Sequence, residues 1–576
     1  MKIRIEGVVT AGLFFLLSVF TFRGAYDYTL ARLLAVDFIV CILALFFLIR
    51  RQSFRLPLPV LLSFTAFVFS ITVAVAFSTF PAATQRELPH VLIYFFLFLL
   101  GSQMSFSSFS LTAWFLAVLT LCGIALKDYF GRGTIVTPLG NKNFFAGYLL
   151  LILPLAITLF GAGLLNWKPA NKRHKTGGTG KKSPFAASQR RIILSRVLTV
   201  LLFCIVILFV VLLFLADSQA SQAGLFFSLL FLAVVWFIDF LLPRFSLKIR
   251  RVFWVIAILG LLTAGLLGVK KGVPYIRQNV RFPLWQGSAA MLKEKPWSGF
   301  GPGTFLAGFQ RFRPNSYYNF DVAAPLSDHS HSEYLELGSE CGVPVLLTFV
   351  IFLGVIFWMS FKRRRLDYSR WPFSMGLLGG VAAILFDGFF STNLRTFSVV
   401  SLFWFLLGIC VSEPSLDVGR VKGGEGKKIN AKVRKAGISE AVWITVILGG
   451  IFSGAVLFQE IRGQVYYKRG IAAREAENWS EAILNYRKAV QMDPANLQAF
   501  YKMAFVYASA GDAKNAIRVY HDILRVSPNF AKTYYNLALL SIRLGNKEDA
   551  LNYLILSLKY NSYDTDSQNL LKFIGE

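Results

Sequence analysis

One polar segment of this chain, residues 281–342, carries the side chains whose types and spacing suit chemistry. Its densest part reads Asp328-His329-Ser330-His331-Ser332-Glu333-Tyr334. A histidine such as His331 has an ordinary pKa of about 6.5, so it is largely neutral at pH 7 and can accept a proton. Arg281 carries a guanidinium that binds phosphate oxygens through two hydrogen bonds and keeps its charge. The polar segment therefore combines a candidate general base with a candidate phosphate-binding cation.

Other side chains of the polar segment are candidates for supporting roles. Arg311 and Arg313 are further cations that would bind phosphate groups or lipid head groups. Glu333 or Asp328 would orient a histidine by accepting a hydrogen bond from its second ring nitrogen. A metal site at His329-x-His331-x-Glu333 is disfavoured, because the sequence shows no further cluster of ligands.

The composition of the chain indicates where these residues must be held. Of 576 residues, 55% are hydrophobic and 15% are aromatic, which is too apolar for a soluble globular protein. The formal charge of +29 would suggest a nucleic-acid partner in a soluble protein. Here the basic residues lie in short loops between apolar runs, so the positive-inside rule explains them and no nucleic acid is expected. The fold class predicted is all-α, a polytopic bundle of membrane helices.

Apolar runs near the length that crosses about 30 Å of hydrocarbon occur along most of the chain. We count thirteen of them. They lie at about 7–22, 29–49, 56–77, 88–104, 109–126, 144–166, 197–215, 222–242, 252–269, 343–361, 373–390, 397–412 and 441–458. The polar segment thus belongs to a large loop, residues 270–342, between two spans.

The charges of the loops predict the orientation of the spans. Basic residues concentrate at 50–55, 168–196, 244–251, 362–365 and 420–435, which all fall on one side if the count of spans is right. That side is expected to be the cytoplasm, together with the N-terminus. The large loop and the C-terminal region are then expected outside the cytoplasmic (inner) membrane.

Beyond residue 460 the composition becomes that of a soluble module and a 34-residue period appears. Small residues recur at two fixed positions and a proline recurs near the end of the period. These residues are Gly470, Ala504 and Ala538, then Ala482, Ala516 and Ala550, and then Pro494 and Pro528. The pattern resembles tetratricopeptide repeats, in which two antiparallel helices approach closely at the small residues and proline ends the second helix.

The repeats are predicted at 463–496, 497–530 and 531–564, with the first somewhat degenerate because Glu477 stands where Gly511 and Gly545 occur later. The predicted domains are therefore a membrane domain at 1–462 and an α-solenoid of repeats at 463–576. Repeats of this kind bind proteins, so a protein partner is expected.

The motifs of the polar segment have a recognisable order. They are Arg281 followed by Trp285, then Pro296-Trp297-Ser298-Gly299-Phe300-Gly301-Pro302-Gly303-Thr304-Phe305, then His331-Ser332 followed by Tyr334-Leu335, and finally Glu340 and Gly342. This order and spacing resembles the O-antigen ligase and polymerase superfamily. Upstream, Leu139-Gly140-Asn141-Lys142-Asn143-Phe144 is similar to the G-N-x-N sequence that opens a span in that family. The resemblance covers roughly residues 130–412, and some relatives carry a tetratricopeptide tail.

The resemblance implies an enzyme of the cell envelope that performs an inverting, metal-independent glycosyl transfer without a cofactor. The donor implied is a glycan on a polyprenyl (undecaprenyl) diphosphate, and the acceptor is a hydroxyl of a lipid, a glycan or a protein. His331 would take the acceptor proton and Arg281 would hold the diphosphate. The implied substrate-binding residues are Arg311, Arg313, Glu333, Gln222, Asn141 and Asn143.

Gln222 marks a departure from the family. Many members have a T-x-S-R-G-like sequence whose arginine meets the donor diphosphate, whereas this chain has Ser218-Gln219-Ala220-Ser221-Gln222-Ala223-Gly224. Glutamine can donate a hydrogen bond to phosphate but brings no charge. Either Arg132 or an arginine of the polar segment would then supply the missing cation, or donor binding differs from that of the family.

An alternative function is a membrane scaffold that recruits partners for envelope polysaccharide assembly and has no catalysis of its own. A transporter is disfavoured, because the ionisable residues within the spans are few and Asp37 and Asp387 are the main ones. Within the enzyme hypothesis, a ligase, a polymerase and a protein oligosaccharyltransferase stay open, because they share the donor chemistry and differ in the acceptor.

Overall fold

The structure is a computed structural model that describes residues 5–20, 29–52, 54–104, 106–165, 184–241, 279–320, 326–364, 371–412 and 436–575. Within these ranges every regular element is a helix, so the predicted all-α class is confirmed. The helices before the repeats are α1 (Ile5–Val19), α2 (Thr29–Ile49), α3 (Leu58–Ala76), α4 (Pro81–Gln103), α5 (Ser108–Arg132), α6 (Lys142–Leu165), α7 (Pro184–Leu215), α8 (Gln219–Trp236), α9 (Arg281–Glu294), α10 (Phe305–Phe312), α11 (Glu333–Arg364), α12 (Trp371–Asp387) and α13 (Phe397–Val411).

The C-terminal helices follow α13 in a regular order. They are α14 (Ala436–Glu475), α15 (Trp479–Met492), α16 (Leu497–Ser509), α17 (Ala513–Val526), α18 (Thr533–Arg543), α19 (Lys547–Tyr560) and α20 (Thr565–Gly575). Each predicted span other than 252–269 coincides with a helix, and 252–269 lies outside the described residues.

Eight helices of the described part are long and apolar enough to cross a membrane, and α1, α12 and α13 are shorter apolar helices. The eight are α2, α3, α5, α6, α7, α8 with the π-helical turn Phe237–Leu241, α11 and α14. The chain is therefore a multi-pass membrane protein, and the count of thirteen spans stays a prediction.

The chain divides into two compact units. The first contains residues 1–19, 101–250 and 356–420. In it, α12 packs closely on α6, because a Cβ at Gly380 would overlap the carbonyl of Leu151 and one at Gly376 would lie 2.6 Å from Leu155. Small residues let membrane helices approach in this way, since lipid gives no hydrophobic drive for their association.

A buried carboxylate joins three elements of the first unit. Asp387, at the end of α12, is fully buried and accepts hydrogen bonds from Ser221 Oγ at 2.8 Å and Asn393 Nδ2 at 2.8 Å. Ser391 also donates to this carboxylate. The charge is thus satisfied within the bundle, as buried charges within membranes require.

The second unit contains residues 20–100, 251–355 and 421–576, and so combines the polar segment with the repeats. Helices α3, α4 and α11 meet through phenylalanines, with the ring of Phe98 4.9 Å from Phe64 and 5.1 Å from Phe352. Helix α2 packs on α14, where a Cβ at Gly454 would lie 3.2 Å from Asp37 Oδ2. The predicted boundary between residues 462 and 463 lies inside α14, which runs without a break from an apolar stretch into the first repeat.

The repeats form antiparallel helix pairs whose second helices begin at equivalent residues. Asn478, Asp512 and Asn546 recur every 34 positions in the sequence, and each caps the N-terminus of a helix. Their side chains accept a hydrogen bond from the backbone three residues later at 3.1 to 3.2 Å. Such a cap satisfies a backbone N–H group that has no partner inside the helix.

The small residues of the period lie where the sequence predicts close approach. A Cβ at Gly470 would lie 2.7 Å from the ring of Tyr486, and Ala504 and Ala538 are fully buried. At the turn inside each pair the backbone is left-handed, with φ of 83° at Gly511, 77° at Gly545 and 56° at Glu477. Glutamate therefore adopts in the first repeat a conformation that glycine adopts in the others.

Candidate functional site

His331 and Arg281 lie in the second unit, near the starts of two helices. Arg281 opens α9, and His331 stands two residues before α11. Burial lowers the pKa of His331 to about 4, and the positive charge of Arg281 is the next cause, followed by His329. The negative charge of Glu336 acts in the opposite direction. The two predicted catalytic residues are therefore close enough for their charges to interact, and His331 is neutral at pH 7.

A second carboxylate, Glu336, organises the turn that carries His331. Glu336 is 2% exposed, and its Oε1 lies 2.8 Å from His329 Nδ1. Its Oε2 accepts a hydrogen bond from the backbone N–H of Ser330 at 2.8 Å. The sequence prediction names Glu333 or Asp328 as the orienting carboxylate and does not name Glu336. In the structure Glu333 is half-buried at the start of α11 and Asp328 is exposed.

The turn itself is closed by two serines. The Oγ of Ser330 accepts from the backbone N–H of Ser332 at 3.1 Å and donates to the carbonyl of Ser332 at 2.6 Å. His331, between them, has a φ of 54°, in the left-handed region that residues other than glycine seldom adopt. The imidazole of His331 is thus carried by a tight turn that hydrogen bonds hold at both ends.

The glycine-rich segment, residues 296–305, packs against the backbone of α11. Gly301 donates to the carbonyl of Glu340 at 2.7 Å, and Phe305 donates to Glu340 Oε1 at 3.0 Å. Gly299 has a φ of 65°, and a Cβ there would overlap the carbonyl of Glu340. Helix α11 bends at Gly342, whose φ is 83°. The glycines therefore allow a close contact between this segment and the backbone of α11.

The same segment also binds the start of α4. Thr79 donates from its backbone and its side chain to the carbonyl of Phe300, at 2.8 and 2.9 Å. Thr84 Oγ1 donates to the carbonyl of Pro302 at 2.9 Å. The glycine-rich segment is thus clamped between two helices of the second unit, and it fixes the entry to α11.

The two arginines of α10 and its end have different surroundings. Arg311 is half-exposed, forms an ion pair with Glu294 at 2.9 Å and stacks on Phe312. Arg313 is 7% exposed, donates from Nη2 to the carbonyl of Asn529 at 3.2 Å and lies over the rings of Tyr317 and Tyr318. Burial lowers the pKa of Arg313. Arg313 therefore joins the polar segment to the repeats, and Arg311 is the more accessible of the two cations.

Further contacts hold the repeats against the polar segment. Ser527 Oγ donates to the carbonyl of Ala307 at 2.7 Å, and Asn529 Nδ2 donates to the carbonyl of Gln310 at 3.3 Å. Ala307 belongs to the same apolar cluster as the core of the repeats. At an earlier turn, Asp493 Oδ2 lies 3.4 Å from Arg86 Nη1 of α4. The turns that end the first and second repeats are thus both docked.

Asn141, Asn143 and Gln222 belong to the first unit. Asn141 is exposed, and its side chain accepts from the backbone N–H of Asn143 at 2.9 Å, which caps the start of α6. Gln222 is half-buried in the first turn of α8. Lys142 pairs with Asp217 at 3.1 Å, so the turns before α6 and α8 meet. Arg132, the cation suggested as a substitute, is exposed at the end of α5.

Among the residues that the structure describes, no three or more His, Cys, Asp and Glu side chains are grouped so as to hold a metal ion. All five cysteines are free thiols, and Cys341 is buried in α11.

Comparison with protein families supports the resemblance seen in the motifs. The family model described as O-antigen ligase matches residues 204–350, which include α8, α9, α10 and the start of α11. Tetratricopeptide repeat models match residues 463–511, 498–529 and 531–564. No curated protein matches the chain. The predicted combination of an O-antigen ligase region with C-terminal tetratricopeptide repeats is therefore confirmed, and the match is shorter than the predicted 130–412.

Proposed function

We propose that this protein transfers a glycan from a polyprenyl diphosphate to an acceptor hydroxyl at the outer face of the cytoplasmic membrane. The match at 204–350 indicates an enzyme of glycosyl-transfer type. The observation that carries the mechanism is the electrostatic coupling of a neutral His331 to Arg281. One group can take a proton while its neighbour holds a phosphate, which are the two tasks of this reaction.

In the proposed step, His331 removes the proton from the acceptor hydroxyl. The acceptor oxygen forms a bond to the anomeric carbon, and the bond from that carbon to the diphosphate oxygen breaks. The electron pair leaves with the diphosphate, whose charge Arg281 stabilises. Attack opposite the leaving group inverts the configuration, and the step requires no metal ion.

The low pKa of His331 is consistent with the donor binding before the acceptor proton is removed. A base with a pKa of about 4 takes protons weakly, because burial and Arg281 both disfavour its charged form. A diphosphate bound to Arg281 would cancel that positive charge and raise the pKa of His331. The histidine would thus become an effective base once the donor is present.

The test is donor consumption by the full chain in liposomes, with a polyprenyl-diphosphate oligosaccharide and candidate lipid, glycan and protein acceptors. We expect the wild type to release polyprenyl diphosphate, with or without a chelator. Loss of His331 in His331→Ala is expected to lower kcat about 10²–10⁴-fold, and Arg281→Ala is expected to raise KM for the donor. His521→Ala and Arg525→Ala, which change the same residue types within the repeats, serve as controls.

Equal release by wild type and both site variants would overturn the assigned roles. No release with any acceptor, combined with loss of a bound protein when residues 463–576 are deleted, would favour the scaffold. The orientation is tested separately by labelling Asp328→Cys and Thr176→Cys with a reagent that does not cross membranes. We expect intact cells to label Asp328→Cys and not Thr176→Cys, and the reverse pattern would place the site in the cytoplasm.

A further inference from the structure

The contacts of Glu336 suggest a role that the family match does not assign. Its two carboxylate oxygens hold His329 and Ser330, the two residues that immediately precede His331. Glu336 is itself held by α11, since its backbone N–H donates to the carbonyl of Ser332 at 3.0 Å. Contacts from the residues before and after His331 therefore join its turn to the start of α11.

The conformation of His331 explains why such a tie is needed. A left-handed backbone is unfavourable for a residue with a side chain, and His331 has a φ of 54°. This conformation persists only where the surroundings impose it. The hydrogen bonds of Ser330 and Ser332 close the turn, and Glu336 fixes the closed turn to the start of α11.

We propose that Glu336 is a positioning residue for His331: it holds the turn 329–332 so that the imidazole faces Arg281 and the acceptor hydroxyl. This proposal rests on the proposed function, because it assigns His331 a reaction to be positioned for. Glu336 does not touch the substrate in this scheme, and it acts through His329 and Ser330.

The charge of Glu336 distinguishes this role from a purely structural one. The charged groups that act on His331 are Arg281 and His329, which lower its pKa, and Glu336, which raises it. Removing the negative charge of Glu336 should therefore lower the pKa of His331 further. A variant that merely loosened the fold would expose His331 and raise its pKa, because burial is the largest cause of the low value.

The experiment compares wild type with Glu336→Gln, Glu336→Asp and His329→Ala in liposomes. For Glu336→Gln we expect kcat to fall about 10–100-fold, the range seen when groups that orient metal-binding side chains are changed, with KM for the donor changed less than about threefold. The acid limb of the kcat profile should move to lower pH. Glu336→Asp keeps a carboxylate, so its acid limb should lie closer to that of wild type. His329→Ala should lower kcat, while Glu336 still accepts the hydrogen bond from the backbone N–H of Ser330.

A readout without catalysis separates this proposal from the proposed function. Hydrogen–deuterium exchange at the ring Cε1 of His331, followed by mass spectrometry across pH, reports the pKa of that imidazole. We expect the midpoint to be lower in Glu336→Gln than in wild type and unchanged in Glu548→Gln, an exposed glutamate of the repeats. An unchanged midpoint with unchanged kcat in Glu336→Gln would overturn the positioning role.

The remaining outcomes are also decisive. If Asp328→Asn moves the limb and Glu336→Gln does not, the orienting carboxylate is Asp328 and our assignment is wrong. If wild type transfers no glycan but the midpoint still shifts in Glu336→Gln, the proposed function fails while the placement of Glu336 beside His331 stands. Should Glu336→Gln fail to fold, Glu336→Asp carries the comparison of kcat, and His329→Ala, which removes a group that lowers the pKa of His331, should move the midpoint to higher pH. An unchanged kcat in both variants would then overturn the positioning role.

Discussion

Arg281 and His331 influence each other through charge, and this gives Arg281 a second measurable effect besides the proposed donor binding. Burial is the largest cause of the low pKa of His331, and the positive charge of Arg281 is the second. Below its pKa the imidazole is protonated and cannot act as a base. The kcat/KM of the proposed transfer, which reports the free protein, is therefore expected to persist at pH 5 and to be lost as the pH falls through about 4.

For Arg281→Gln we expect the acid limb of the kcat/KM profile to move to higher pH, because one cause of the lowered pKa in the free protein is removed. The limb should stay below the ordinary value of about 6.5, since burial remains. Arg281→Lys, which keeps the charge, should leave the limb near that of wild type. A limb that stays in place in Arg281→Gln would show that the two side chains are not coupled.

Glu477 offers a stability prediction at the same scale. It has a φ of 56° where Gly511 and Gly545 occupy the equivalent turns. Glu477→Gly should remove backbone strain and stabilise the first repeat by about 0.5–1 kcal/mol. Hydrogen exchange of residues 463–496 in the full chain should slow by a few-fold. Faster exchange would mean that the glutamate makes contacts worth more than the strain.

The sequence makes His331 and Arg281 candidates by their residue types, and it shows the degenerate turn at Glu477 by comparison with Gly511 and Gly545. It does not identify Glu336 as a partner of the turn. The available signal is the spacing of Glu333, Glu336 and Glu340, which places three carboxylates on one face of a largely apolar helix. Which of them reaches the turn depends on the rotation of α11, and spacing alone does not define that rotation.

At the scale of elements, the glycine-rich segment matters because it seats α11. The Cβ that alanine would add at Gly299 overlaps the carbonyl of Glu340, and the φ there is 65°. Gly133 has a similar φ of 70° but nothing lies within 4 Å of its Cβ position. Comparing alanine variants of the two glycines therefore separates the effect of backbone strain from that of steric overlap.

We expect Gly133→Ala to lower the free energy of unfolding by about 1–2 kcal/mol, which is the effect of the left-handed backbone alone. Gly299→Ala should cost several times more, because backbone rather than a flexible side chain must move. The comparison is thermal unfolding of both full-length variants in detergent, with size-exclusion profiles. Equal losses in the two variants would show that the segment does not pack on α11 as described.

Element prediction succeeds here where one physical rule dominates. Runs of apolar residues predict the long helices that precede the repeats, and these helices are present in the described part of the chain. The predicted boundary at residue 463 follows a change of composition, but helical hydrogen bonding continues through it within α14. Composition indicates whether a helix is surrounded by lipid or by water, but it does not show where the helix ends.

At the scale of the molecule, the repeats and the polar segment share one apolar cluster and several hydrogen bonds. No sequence period could reveal this, because the contacts join residues more than 200 positions apart. A protein bound to the repeats would consequently be held at a constant place relative to His331, both being in the second unit. This favours the repeats as the place where a protein acceptor or partner is received.

Ser527→Ala tests that docking. It removes the donor to the buried carbonyl of Ala307, which should cost about 1–3 kcal/mol locally. We expect faster hydrogen exchange in α10 and in residues 526–532 of the full chain. Ser509→Ala, at an exposed serine of the repeats, should change neither. Unaltered exchange in Ser527→Ala would indicate that the repeats are not docked at this turn.

Because α14 is continuous, its length fixes the rotation of the repeats relative to its apolar stretch. Each residue of an α-helix adds a rotation of about 100° and a rise of about 1.5 Å. Inserting one residue between the apolar stretch and the first repeat would therefore turn Asp493 and Ser527 away from Arg86 and Ala307. Inserting seven would nearly restore the angle but lift the repeats by about 10 Å. Relatives or chimaeras that keep this docking should consequently conserve the length of this helix even where its residues change.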